Sequence, residues 1–136
     1  MLIGGETTNN YHNIVTAFAR GAARLGLDTR VVGHRTNREA SSQEMRQFGR
    51  DLAADPNRPD GIICDSELCA ICMVVGLADG GLRSGRDFHC VCKQTSDLLD
   101  TLYPSIDTID EDVVAAGTEL ARLLIRRIGG DPPEAL

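Results

Sequence analysis

The feature that most constrains this chain is a change of hydrophobic period that repeats along it. Apolar runs of four or five residues alternate with longer stretches in which apolar residues recur every three or four positions. Short runs read as buried strands, and the three-to-four spacing reads as helices with one apolar face. Strands that alternate with helices build a parallel sheet, because each helix carries the chain back over the sheet to start the next strand. The expected fold class is therefore α/β, an open, mostly parallel sheet flanked by helices.

Leu2 to Gly5 is the first strand, broken by a Gly-Gly turn. From Asn9, the residues Ile14, Phe18, Ala22 and Leu25 mark a helix that Gly26 ends. Thr29 to Gly33 is the second strand. Ser41 and Glu44 have the spacing of a capping box, and Met45, Phe48 and Leu52 follow on one face. Gly61 to Cys64 is a compact third strand. Ser66 is placed to cap a helix from Glu67 to Ala78, apolar almost all round and so predicted to pack deeply, which Gly80-Gly81 stops. Phe88 to Cys92 is the fourth strand. Then the texture changes: between Lys93 and Arg122 there are seven acids and no base. Ile106 to Ile109 is a short extended piece, and Glu111 to Ile128 a long helix striped by Val113, Val114, Gly117, Leu120, Ala121, Leu124 and Ile128.

A chain of 136 residues has room for one domain. With 42% hydrophobic and 25% charged residues it is neither disordered nor fibrous. No apolar run reaches the ~18 residues of a membrane span, and the N-terminus lacks the basic and apolar regions of a secretory signal. A net charge of −6 opposes a nonspecific grip on DNA. The five cysteines, Cys64, Cys69, Cys72, Cys90 and Cys92, are odd in number and crowded together, which fits reduced thiols better than a disulfide framework. A cytoplasmic location is expected. The first strand begins at Met1 itself, so the chain reads as a piece of something longer.

In an open α/β sheet, ligands bind beyond the carboxyl ends of the strands. Three segments fall there: Gly5 to Tyr11, Asp65 to Glu67, and Lys93 to Ser96. All are dense in hydrogen-bonding side chains, as a site for a small polar ligand requires; Asn9, Ser66 and Ser96 also suit plain helix capping. Lys93 is the only lysine in the chain. No Ser/His/Asp arrangement, P-loop or GxGxxG is present, and no cofactor is implied, so the chain is read as non-catalytic.

Several segments then resemble one family. Pro59 to Ala70 resembles the "PDAI…NDxxA" signature of LacI/GalR-type bacterial transcription regulators. Gly80-Gly81-Leu82 with Arg86-Asp87-Phe88, Pro104 to Ile109, Gly117 to Gly130, and Phe18 to Leu27 are similar to four further stretches of that family, in order. The resemblance implies one lobe of a type I periplasmic-binding-protein-like fold, two lobes of which close on a sugar. Residues 1–105 would form the C-terminal lobe. Residues 106–136 would be the crossover strand and closing helix, packed on an N-terminal lobe that this chain lacks along with the helix-turn-helix. The uncovered helix implies a homodimer or a domain-swapped assembly, and operator DNA is reached only through the absent domain. Tyr11, Asn13, Asp65, Ser66, Lys93 and Gln94 are the implied ligand-binding residues. The family's sugar-contacting arginine and aspartate fall here on Ile14 and Gln94. With Lys93 beside them, these departures point to an acidic sugar derivative, because a buried cation needs a counter-charge.

Three other readings stand beside this one. A secreted solute-binding protein shares the fold. A phospho-accepting receiver would use Asp65 and Lys93, but it needs an acidic pair after the first strand, where only Glu6 stands. A cysteine-based metal or redox site would use Cys69-x-x-Cys72, although that pair lies in an apolar helix where cysteine acts as a small hydrophobe.

Overall fold

The computed structural model describes residues 1–5, 9–34, 42–102 and 106–135. Ser41 of the expected capping box, Pro104-Ser105, and Glu6 to Thr8 of the first loop lie outside them. The elements alternate in chain order: β1 (Leu2–Gly5), α1 (Asn9–Leu25), β2 (Val31–His34), α2 (Ser42–Ala53), β3 (Gly61–Cys64), α3 (Glu67–Asp79), β4 (His89–Gln94), β5 (Asp107–Asp110) and α4 (Val113–Ile128). A single 3-10 turn, Leu99–Thr101, lies between β4 and β5, where the sequence showed no periodicity. The five strands form one sheet in the order β2-β1-β3-β4-β5, every neighbouring pair parallel.

Alternation along β3 and β4 divides the sheet into two faces. Ile62, Cys64, Cys90 and Cys92 are buried against α2 and α3, whose inner faces supply Met45, Leu52, Cys69, Met73 and Leu77. Each of the larger side chains contributes about 1.5–3 kcal/mol through removal of its surface from water. α3 is buried over most of its circumference, as its sequence predicts. It meets α2 at two glycines: a methyl on Gly49 would lie 2.9 Å from the Met73 carbonyl and 3.0 Å from the Gly76 Cα. Only residues without side chains let two helix backbones come this close. Arg46 closes the same crossing with a two-pronged bond to Asp79, at 2.6 and 2.8 Å.

The opposite face carries α1, which sets Tyr11 and Ala22 against the sheet. α4 buries none of its residues. Asp112 caps it, its carboxylate accepting the Ala115 N–H at 2.7 Å, so the helix starts two residues later than its apolar periodicity suggests. β4 runs two residues beyond its expected end because β5 supplies partners there: Lys93 pairs with Ile109 and Gln94 with Asp110. Lys93 and Gln94 are therefore the last residues of a strand rather than part of a loop.

Candidate functional site

The carboxyl ends of β1, β3, β4 and β5 line one edge of the sheet, and side chains from three of the predicted segments meet there. β1 ends in glycine. The space that a methyl at Gly4 would fill is taken by Asp65, whose Oδ2 would lie 2.6 Å from it, and by the Tyr11 ring at 3.2 Å. Asp65 continues the β1–β3 ladder through its own N–H, which donates to the Ile3 carbonyl at 3.2 Å. Tyr11 is buried and sits edge-on to His12. The first turn of α1 and the end of β3 thus present a phenol ring and a carboxylate side by side over Gly4.

Along β4 the two terminal residues point to opposite faces. Lys93 donates to Glu111 Oε2 at 2.7 Å and keeps about a third of its side chain exposed (33%). The premise of an unmatched buried cation therefore fails, because Glu111 supplies the counter-charge from within the chain. Gln94 is 4% exposed. Its amide nitrogen donates to Asp110 at 2.6 Å and Asp100 at 3.4 Å, and its amide oxygen is buried without a partner. Two carboxylates hold the amide nitrogen and so fix the orientation of this side chain.

Ser66 stands at the N-cap of α3 with extended backbone, but its side chain makes no capping bond, contrary to expectation. Asn13 is exposed, and it lies two residues beyond Tyr11, so the helix turns it to a different side. The structure brings Tyr11 and Asp65 together, sets Lys93 against Glu111 and Gln94 against Asp100 and Asp110, and leaves Asn13 apart.

The residue that sequence reasoning missed is Glu67. Its Oε1 accepts from the N–H groups of Thr95 and Ser96 and from the Ser96 hydroxyl, each at 2.9 Å. These bonds tie the start of α3 to the turn after β4, and they hold the Glu67 carboxyl below the usual range, the Thr95 backbone bond first. A carboxylate whose folded pKa is depressed adds stability above its unfolded pKa, near 4.3, and that stability disappears as pH falls through the folded value. We predict that Glu67→Gln has a lower urea midpoint than wild type at pH 7, and that the gap narrows steadily below pH 4. A gap constant with pH would show that the ionised carboxylate is not what the turn needs. Asp110, Asp100 and Glu111 were equally hidden: the acid run was visible, but only the β4–β5 register shows which acids face the site.

All five cysteines are buried free thiols. Burial pushes Cys92 up to about 12, and bonds from Cys69 and Cys90, with burial, push Cys64 well above the ordinary thiol range. Cys64 and Cys92 therefore stay protonated and are poor nucleophiles, whereas the bond with Cys64 pulls Cys90 down. Among the described residues no group of three His, Cys, Asp or Glu side chains is placed to hold a metal ion. No described helix is long and apolar enough to cross a membrane. A cavity of about 730 Å³ opens at the other, amino edge of the sheet, lined by Met1, Phe18, Leu27, Asp60, Ile63 and Val91 among others.

Comparison with known proteins places this architecture. The chain is similar to a LacI family transcriptional regulator from Bifidobacterium animalis subsp. lactis, with a TM-score of 0.86 and 19% identity, over 96% of this chain and 47% of the other. A regulatory protein of the LacI family from Chloroflexus aggregans gives 0.86 and 16%, over 98% and 49%. A periplasmic binding protein/LacI transcriptional regulator from Alkaliphilus metalliredigens, complexed with D-xylulofuranose, gives 0.75 and 20%, over 96% and 48%. The chain thus spans about half the length of these structures. No curated protein sequence is similar enough to match it. The family model of the periplasmic binding protein-like domain matches residues 1–135, and with its parallel five-stranded lobe the chain belongs to that family.

Proposed function

We propose that the chain is the effector-sensing part of a LacI-type transcription regulator, and that its ligand is a small neutral sugar held at the carboxyl edge of the sheet. The observation that carries this reading is the meeting of Asp65 and Tyr11 over Gly4, beside the strand end that bears Gln94. A carboxylate accepts hydrogen bonds from hydroxyl groups, and a tyrosine ring packs against the apolar face of a sugar. Lys93, Gln94 and Ser66 complete the proposed set at the rim, with Asn13 apart from it on α1. Residues 1–105 form the sensing lobe, and 106–136 lead to a helix that belongs with a second lobe. The regulator is cytoplasmic, non-catalytic and a homodimer or domain-swapped assembly, and it reaches operator DNA through a helix-turn-helix outside this chain.

The Alkaliphilus protein, described both as a binding protein and as a regulator, favours a second reading of the same lobe as a solute carrier. The proposed ligand chemistry is the same for both. Calorimetric titration of the chain with D-ribose, D-xylulose and D-glucose, and with glucuronate and ribose 5-phosphate, tests it. We expect a neutral sugar to bind with a Kd of about 1 mM, the weak affinity of about −4 kcal/mol that half a cleft supports. The acids should bind at least tenfold more weakly, because Lys93 is already paired with Glu111 and this edge otherwise carries the carboxylates Asp65, Glu67 and Asp110. Tighter binding of either acid, or heat from none of the five, contradicts the reading.

A further inference from the structure

Every cysteine of the chain lies in one layer of the core, between the sheet and the helices α2 and α3. Cys64 ends β3, Cys90 and Cys92 lie on β4, and Cys69 and Cys72 lie on α3. In the register of the two strands Cys64 stands level with Cys92, and Cys90 stands level with Ile62. The Cys92 thiol is turned away, donating to the Lys93 carbonyl at 3.1 Å, and Cys69 reaches the Met45 sulfur at 4.0 Å. The Cys64 thiol is the meeting point, bonded with Cys90 on the neighbouring strand and with Cys69 on α3. A thiol buried for packing alone acts as a small hydrophobe and needs only a space of its own size. It does not need other thiols to face it, and at Cys64 two of them do.

We propose that the facing sulfurs of Cys64 and Cys90 form a two-coordinate site for a soft, thiophilic cation, with divalent mercury the best match. The site is independent of the effector. Sulfur selects the class, since thiolates favour soft cations over magnesium or calcium. Coordination number narrows it. Among the described residues no group of three Cys, His, Asp or Glu is placed to hold a metal, so the four ligands of tetrahedral zinc are not assembled. A cation satisfied by two thiolates in a line remains. Charge chooses within that class. Each thiol loses its proton to solvent on binding, two metal–sulfur bonds form, and the metal sheds two of its own ligands without a change of oxidation state. A divalent ion with two thiolates is neutral, whereas monovalent copper would leave a net negative charge in an apolar core.

Backbone geometry separates metal binding from disulfide formation. Cys90 is two residues out of level with Cys64. With strands about 4.8 Å apart and a rise of about 3.3 Å per residue, their Cα atoms are about 8 Å apart. A disulfide bridges at most about 7 Å between Cα atoms. A linear bridge built from two bonds of about 2.3 Å, the zinc–thiolate length, lets the sulfurs stand about 4.6 Å apart and so spans the pair. Cys92 is level with Cys64, but its thiol is committed to the Lys93 carbonyl.

Mercuric chloride added to the folded, reduced chain in about a tenfold excess of glutathione tests the site, because two pre-placed thiols outcompete separate ones. We expect one mercury per chain to survive desalting, with two sulfur neighbours at about 2.3 Å in its X-ray absorption spectrum. Cys64→Ala and Cys90→Ala should each retain less than a tenth as much, whereas Cys72→Ala retains it all. Cys64→Ser and Cys90→Ser, closer in size, replace an alanine variant that does not fold. Zinc should not be retained, copper(I) should be held more weakly than mercury, and oxidised glutathione should leave all five thiols titratable. Loss of the metal from the wild type, uptake only in denaturant, or one, three or four sulfur neighbours overturns the proposal. So does full retention by a folded Cys64 or Cys90 variant, or a disulfide between these two residues.

Discussion

Gly76→Ala is expected to cost about 3 kcal/mol of stability, although alanine is the better helix former. A methyl there would collide with the Arg46 carbonyl and lie 2.9 Å from the Gly49 Cα. Both are backbone atoms held in the ladder of α2, so neither can swing aside as a side-chain tip would. The helices must separate instead, and the layer that holds Met45, Met73 and Leu77 loosens with them. Overpacking of a tight core costs about 1–3 kcal/mol, and direct backbone contact puts this site at the upper end. For a domain of this length the loss lowers Tm by about 10 °C. Gly21, in the middle of α1, has nothing within 4 Å of the corresponding position. Gly21→Ala should therefore raise stability by about 0.5–1 kcal/mol, the ordinary helical preference. Thermal melts of the two variants decide the matter, and a shift in the same direction for both would refute the close α2–α3 crossing.

Gly4→Ala should show the reverse pattern, with little lost in stability and much lost in binding. Here the added methyl meets Asp65 Oδ2 at 2.6 Å, Asp65 Cγ at 2.9 Å and the Tyr11 ring at 3.2 Å. These are side-chain atoms rather than helix backbone, so they can shift at less loss than the α2–α3 crossing, and Tm should move by less than about 3 °C, an effect below 1 kcal/mol. The two groups that move are those proposed to hold the sugar. A displaced carboxylate forfeits a charge-assisted hydrogen bond, and affinity should fall at least tenfold, or about 1.4 kcal/mol. Unchanged sugar affinity in a folded Gly4→Ala protein would remove Asp65 and Tyr11 from the site.

The contrast between these glycines shows what the sequence could and could not convey. Strand and helix alternation was legible from apolar spacing alone, and α3 was legible as a buried helix because its apolar residues go all round. Gly49 and Gly76 gave no such signal, since a glycine inside a helix is silent until a neighbour's backbone approaches it. The ends of β4 and α4 were misplaced for a related reason. Lys93 and Gln94 are polar, which reads as loop, but a strand end is fixed by its partner, and β5 pairs with both residues. At the site, Asp65 and Tyr11 were legible from their position after strands. Glu67 was not, because its role depends on Thr95 and Ser96, 28 and 29 residues away. The acidic-ligand expectation lost its premise for the same reason: Glu111 is far from Lys93 in sequence and 2.7 Å from it in space.

The claim on which the functional account rests is that the carboxyl edge of the sheet receives the effector. Amide chemical shifts of isotope-labelled chain, followed as the best-binding neutral sugar is added, test it most directly. The account predicts shifts at Gly4, Asp65, Thr95 and Glu111, with Leu27, Arg58 and His89 at the opposite edge unmoved. Shifts concentrated at Leu27, Arg58 and His89 would contradict it and would place the ligand in the amino-edge cavity instead.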